Sequence, residues 1–394
     1  MNNRCLDIGF HSLNKFGEQL CGDHVEVVEQ NGGDGNEDVV VVLADGLGSG
    51  VKANILSTLT SKIISTMMAN GMPIEECVST IAATLPVCSV RKVAYSTFTI
   101  IVVRNGEEAE IIQYDNPNVI LLRDGKNVEL PVTSVTVEGK NILRSKIKIR
   151  ENDVFVAMSD GAVYAGVGKT LNYGWQRENI VSFMEMMYDA DFTAKTLSAI
   201  LLEQCAKLYG YEPGDDTTVC TVRVRTREPM NILIGPPSNP DDAQRMMKLF
   251  FSRPGRHIVC GGTTSTIAAD FLQSEITSDM DYFDPEIPPT AKIKGVDLVT
   301  EGIITINKTL SYAKNYLDDN RSYKEWSFQK DGASLIARML FENATDISFF
   351  VGKAVNPAHQ NPALPIHFNI KMHLVEELAE ALRKMRKNVV ISYF

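Results

Sequence analysis

Two aspartates stand where an apolar strand gives out. The run Val39–Leu43 stops at Ala44-Asp45-Gly46, and the run Val154–Met158 stops at Ser159-Asp160-Gly161. Each carboxylate should emerge from a core at a sheet edge. Asp23, within Cys21-Gly22-Asp23-His24, and the pair Asp215-Asp216 flank other strands and can converge on the same place. Asp-Gly pairs occur five times, at 34, 45, 124, 160 and 331. A lone pair is ordinarily a turn, so it is the preceding strand that separates 45 and 160 from the rest. Carboxylates without histidine or cysteine are ligands of hard ions, Mg²⁺ or Mn²⁺. Several acids in one cleft repel each other unless cations lie between them. Two such ions roughly 3.5–4 Å apart can share a water, lower its pKa and aim it at phosphorus. That chemistry is hydrolysis of a phosphate ester with no covalent enzyme intermediate.

The elements that must position these acids are legible in part. Unbroken apolar character over Val39–Leu43 marks a strand covered on both faces. Gly46, Gly48 and Gly50 let the backbone approach something closely before a helix opens near Val51, with Ala53, Leu56, Leu59, Ile63 and Met67 as its apolar positions. A second helix follows Pro73. Residues 1–30 read as strand, turn, strand, and Gly32, Gly33 and Gly35 make a loop before Val39. Short β runs at Phe98–Val103, Ala109–Tyr114 and Val119–Leu122 are broken by hairpin pairs Asn105-Gly106 and Asp124-Gly125. The stretch Ala162–Gly174, with three glycines, reads as a mobile flap. A helix through Leu197–Leu208 leads to Asp215, and the last strand alternates Cys220, Val222, Val224 against Thr221, Arg223, Arg225.

Composition shifts after residue 226. Strands at Asn231–Ile234, His257–Cys260, Ile347–Val351 and Val389–Tyr393 alternate with helices near 303–317, 331–342 and 371–387. Asn239 is placed to cap a helix with Pro240 at its first position. This spacing predicts a smaller α/β domain, residues 230–394, with a mainly parallel sheet. Its turn Gly261-Gly262-Thr263-Thr264, between strand and helix, suits an anion or nucleotide; an ordinary turn with a threonine N-cap is the plain alternative.

The 394 residues carry 39 basic against 49 acidic side chains, net −10, which argues against a nucleic-acid partner held by phosphate contacts. The basic run Arg383 to Lys387 ends a predicted helix, where it complements the dipole. Seven scattered cysteines without a CxxC pair suit a reducing compartment. No apolar run is long enough for a membrane span, so a soluble, cytoplasmic protein is expected. A dinucleotide fingerprint at Gly46-x-Gly48 fails, because its third glycine would fall on Val51.

In order, Gly22-Asp23, Ala44-Asp45-Gly46-Leu47-Gly48-Ser49-Gly50, Ser159-Asp160-Gly161 and Gly214-Asp215-Asp216-Thr217 resemble the metal-dependent protein phosphatases of type 2C, and most of all their bacterial SpoIIE-like branch. Tyr95-Ser96-Thr97-Phe98 and Asp115-Asn116-Pro117 through Arg123-Asp124-Gly125 resemble that branch too. The resemblance covers residues 1–226 and implies an α+β fold: a four-layer α-β-β-α sandwich of two antiparallel sheets. It implies two Mn²⁺ or Mg²⁺ ions, with Asp45 bridging both, the Gly46 carbonyl beside it, Asp23 on one ion, and Asp160 and Asp215 on the other. Asp45, Asp23 and Asp160 would be the catalytic set, with Asp216 as a second polar residue. The implied substrates are phosphoserine and phosphothreonine proteins, in this branch often small anti-sigma-factor antagonists. The arginine that grips phosphate in eukaryotic-type members has no match here; Lys15 and Arg4 are the candidates. His24 stands next to Asp23, where a touch on a metal-bound water competes with a plain strand role. The competing class is a catalytically silent phosphoprotein-binding or ligand-sensing regulator, from which a complete acidic set would not be expected.

Overall fold

The computed structural model describes residues 3–31, 37–84, 96–278, 283–318, 323–354 and 370–394. The loop Gly32, Gly33, Gly35 with its Asp34-Gly35 pair, Cys88 and Tyr95 lie outside the described residues. The chain forms two units, Met1–Thr226 and Arg227–Phe394.

In the first unit, β1 (Arg4–Leu13), β2 (Asp23–Asn31) and β3 (Glu37–Asp45) lead into helices α1 (Gly50–Ala69) and α2 (Ile74–Thr84). Then come β4 (Thr97–Arg104), β5 (Glu108–Tyr114), β6 (Ile120–Arg123), β7 (Lys126–Val128), β8 (Thr133–Val137), β9 (Lys140–Lys148) and β10 (Val154–Met158). Helices α3 (Asp160–Val163), α4 (Arg177–Met187) and α5 (Ala194–Leu208) precede β11 (Thr217–Thr226). Two antiparallel sheets result, ordered β2-β3-β4-β5-β9-β8 and β1-β11-β10-β6-β7. Strand β3 explains its own sequence. Val39, Val41 and Leu43 meet Phe155, Cys220 and Val222 between the sheets, while Val40 and Val42 meet Ile64, Ile74 and Ile81 of the helices. Both faces are dry, so alternation is absent. On the other side α4 and α5 cover β10 and β11 through Ile180, Leu197 and Leu201. This is the four-layer α-β-β-α arrangement.

Helix α1 departs from the expected pattern. Its buried positions are Gly50, Ala53, Ser57, Thr60, Ser61, Ile64, Ser65 and Met68. Leu59 is exposed, and Leu56, Ile63 and Met67 are only half-buried. The small hydroxyl residues let the helix lie close on the sheet. Ser57, Ser61 and Ser65 donate to the carbonyls of Asn54, Thr58 and Lys62, so their burial leaves no donor unmet. Likewise the polar face of β11 is buried under α5, where Ser198 Oγ donates to Thr221 Oγ1 at 2.9 Å and Arg223 donates to the Phe192 and Ala190 carbonyls.

The second unit orders its strands β14-β15-β16-β13-β12-β17-β18. These are β12 (Pro229–Ile234), β13 (Arg256–Cys260), β14 (Thr277–Ser278), β15 (Ala291–Lys292), β16 (Leu298–Thr300), β17 (Asp346–Val351) and β18 (Asn388–Tyr393). From β16 to β18 the pairs are parallel, and β14 and β15 add an antiparallel margin. Helices α6 (Ala243–Phe251) and α7 (Gly262–Leu272) pack on one face through Met246, Phe250 and Ala268. On the other lie α8 (Ile303–Asp318), α9 (Tyr323–Trp326), α10 (Gly332–Ala337) and α11 (Ile370–Lys384), packed around Trp326, Phe341 and Leu378. Asn239 accepts from the Asp241 N–H and caps the turn into α6.

Candidate active site

Four of the acids come together at one end of the first unit. Asp23 opens β2, Asp45 closes β3, and the two are directly paired. Opposed side chains on neighbouring strands have Cβ atoms about 4.5–5.5 Å apart, a spacing at which like charges destabilise. From the other sheet, Asp160 follows β10 and Asp215 precedes β11, and those strands pair with each other. Burial, then the charges of Asp23, Asp160 and Asp215, push Asp45 up to about 9. Burial also lifts Asp23 to about 7, against hydrogen bonds from Ser159 and Thr218 that favour its ionised form. Asp160 is raised by burial and by Asp215, and Asp215 by burial with Asp216 adding to it.

Asp23 Oδ1 and Asp216 Oδ2 are buried without a hydrogen-bond partner. A buried acceptor left unmet is costly, and so is the repulsion among the acids. Divalent cations would relieve both, and an all-oxygen donor set with the Gly46 carbonyl suits a hard ion. Among the described residues no three His, Cys, Asp or Glu side chains are spread as a metal cage.

The Asp-Gly pairs turn out to have three uses. Asp124 and Gly125 both take positive φ, 49° and 75°, and form the β6–β7 hairpin. Asp331 caps α10 by accepting from the N–H groups of Ala333 and Ser334. Gly46 and Gly161 are not turn glycines: a Cβ on Gly46 would lie 2.1 Å from the Ala53 carbonyl oxygen, and one on Gly161 2.2 Å from that of Asp216. They are glycines because another backbone passes against them.

Lys15 and Arg4 stand at opposite ends of β1. The Lys15 N–H donates to Asp216 Oδ1 at 3.0 Å, and the β1–β11 pairing ends at Leu13↔Thr217, so the Lys15 backbone lies beside the acids. Its Nζ makes no hydrogen bond or ion pair among the described residues, and its charge partly offsets the rise at Asp215. Arg4 donates to the Gly106 and Ile149 carbonyls, far from the cluster. His24 shares a 2.8 Å hydrogen bond with Ser61 Oγ on α1 and so serves packing. The glycine-rich stretch after Asp160 is tied down rather than loose. Lys169 Nζ donates to the carbonyls of Tyr209 and Glu212 at 2.7 and 3.0 Å, and Thr170 Oγ1 to that of Leu208 at 2.8 Å.

Two contributors escaped sequence reasoning. Asp115, at φ 55°, is close enough to raise Asp160. The signal was available, since Asp115 ends the strand Glu108–Tyr114 as Asp45 ends its own. Ser159 donates to Asp23 at 2.7 Å. In the second unit Gly261, at φ 107°, is the N-cap of α7, which begins at Gly262 rather than near Ser265, with no side-chain cap from Thr263 or Thr264.

A helix-flanked sandwich of two antiparallel sheets, with carboxylates gathered at one end, defines a type 2C phosphatase fold. Residues 35–225 match the family model for stage II sporulation protein E (SpoIIE). Similar solved structures include the phosphatase domain with a fragment of the regulatory domain of SpoIIE from Bacillus subtilis, 17% identical with a TM-score of 0.48, covering 57% of this chain and 63% of that one. The RsbU and RsbW domains of a Mycobacterium tuberculosis protein are 14% identical with a TM-score of 0.49, covering 63% and 70%. RsbX in complex with magnesium is 18% identical with a TM-score of 0.39, covering 57% and 97%. This chain thus spans less than two thirds of the Bacillus subtilis structure. No match is found among curated proteins. Among the described residues no helix is long and apolar enough to cross a membrane.

Proposed function

We propose that residues 1–226 form a metal-dependent protein serine/threonine phosphatase of cytoplasmic signalling, of the sporulation or stress-response kind. Asp23, Asp45, Asp160, Asp215 and the Gly46 carbonyl would hold two Mn²⁺ or Mg²⁺ ions. The observation that carries this reading is the gathering of four carboxylates from two sheets, each raised first by burial, beside buried oxygens that lack partners. When bound, such ions offset the acids' charge, polarise the phosphoryl group and lower the pKa of a water molecule. The chain's own residues do the rest. Asp45 and Asp23 would have to be ionised to hold the cations. Lys15 Nζ meets the phosphoryl dianion, since a site built of carboxylates needs a cation to admit one. The substrate is a phosphoprotein, an anti-sigma-factor antagonist being the type this branch suggests.

Residues 230–394 would regulate that activity by binding a ligand or partner. Gly261, Gly262, Thr263 and Thr264 are the proposed point of entry, because α7 starts there uncapped with open space beside Gly262. Gly262→Trp, which fills that space, is expected to change turnover while leaving the acids untouched. The main test is turnover of a phosphopeptide with Mn²⁺. Activity that persists both in chelator and in Asp45→Asn would contradict the mechanism. Phosphoprotein binding without turnover in any divalent metal would favour the silent regulator.

A further inference from the structure

Ser159 holds the N-cap position of α3, yet its hydroxyl gives that helix no hydrogen bond. A serine there ordinarily accepts from the first free N–H groups. Here Oγ accepts from the Thr218 N–H at 2.8 Å and donates to Asp23 Oδ2 at 2.7 Å. The Ser159 N–H donates in turn to the Thr218 carbonyl at 3.0 Å, while its own carbonyl accepts from Ala162 at 3.2 Å. The β10–β11 ladder therefore continues one pair beyond its last strand residue. The hydroxyl stands in for a carbonyl that the turn into α3 has carried away.

Ser159 and Asp23 are 0% and 4% exposed, so water does not compete for this bond. Asp23 lies on the six-stranded sheet and Ser159 at the end of a strand of the five-stranded one, so the bond joins the two halves of the acid cluster. The Thr218 hydroxyl is within 2.8 Å of Ser12 Oγ. One oxygen of Asp23 is thereby fixed, and Oδ1 is the oxygen without a partner.

We propose that Ser159 is a positioning residue: its hydroxyl turns Asp23 so that Oδ1 alone is offered between the sheets, and so sets the cluster's affinity for a divalent cation. The inference rests on the cation-holding reading above. Hydrogen bonds that orient a metal ligand are typically worth about 10–100-fold in affinity.

The test is titration of the full chain with Mn²⁺, free ion being followed by paramagnetic resonance without substrate. Ser159→Ala should raise the Mn²⁺ dissociation constant by about 10–100-fold. Ser159→Thr, which keeps the donor, should stay near the parent. Ser159→Cys, a weak donor of similar size, should fall between, and with Ser159→Thr it carries the test if the alanine variant does not fold. A purely structural role would lower the urea midpoint in chelator and leave the dissociation constant alone, which overturns the proposal. Loss of Mn²⁺ binding in Asp45→Asn with unchanged binding in Ser159→Ala and Ser159→Cys overturns it by itself. A parent chain that binds no Mn²⁺ removes this inference and the reading beneath it together.

Discussion

Gly161→Ala adds one methyl group where the chain has no room for it. Its Cβ would stand 2.2 Å from the Asp216 carbonyl oxygen and 2.4 Å from Thr217 Oγ1, where ordinary contact begins at 3.4 Å. The two backbones must separate by about 1.2 Å to accept it. Neither is free to yield. Tyr209 Oη donates to the Gly161 carbonyl at 2.7 Å, and Thr217 Oγ1 to that of Asp215 at 3.2 Å. Overpacking of this kind costs about 1–3 kcal/mol of stability. The larger effect falls on chemistry, because Asp160 and Asp215 flank the contact and move apart with it. A misplacement of about 1 Å at reacting groups can cost on the order of 100-fold in rate. Phosphopeptide turnover and a urea melt should be run beside Gly214→Ala, whose Cβ would meet only the Tyr209 ring at 3.5 Å. That control should stay within about 0.5 kcal/mol of the parent. Parent-like turnover and stability in Gly161→Ala would refute the close-approach argument.

The remaining expectations concern charge. Asp23 and Asp45 are raised from 3.8 to about 7 and about 9, so in chelator the folded state binds protons that the unfolded chain has released. Their contribution to stability is whole below pH 4 and is lost as pH climbs through 7 and 9. Urea midpoints in chelator should fall from pH 5 to pH 9, and added Mn²⁺ should restore them; a midpoint rising over that window contradicts the cluster's electrostatics. Lys15→Met should raise KM for a phosphopeptide while Arg4→Met leaves it unchanged, and equal KM values would remove Lys15 from substrate binding. Asp153, fully buried, accepts from Arg123 at 2.7 Å on each oxygen and from the Arg150 N–H at 2.8 Å. Asp153→Ala should cost about 1–3 kcal/mol by urea unfolding, since it leaves the Arg150 N–H unmet and Arg123 with only the Lys148 carbonyl.

The architecture was readable where one physical rule dominated. A strand dry on both faces loses alternation, and Val39–Leu43 says so directly. Turn glycines with positive φ, as at Asp124-Gly125, follow from backbone sterics alone. Helix α1 was misread because hydrophobicity is a proxy for burial, and Ser57, Ser61 and Ser65 are buried by satisfying their hydroxyls within the helix. At Gly46 a close backbone approach is legible in the sequence, but not its partner, since Ala53 folds back onto it; at Gly161 the crowding backbone of Asp216 is distant in sequence and leaves no local signal. Ser159 carried no separate signal. Nothing in a Ser-Asp-Gly triplet reveals that the serine faces away from its helix.

The acids of the first unit hang from two separate sheets, and what holds those sheets apart is hydrocarbon: Val41, Leu43, Phe155 and Val222. The spacing across the cluster is therefore gauged by side-chain volume some distance from any charge. A methylene added to or removed from that filling would reach the carboxylates as a change in gap, so an oily interior doubles as the ruler for a polar reaction.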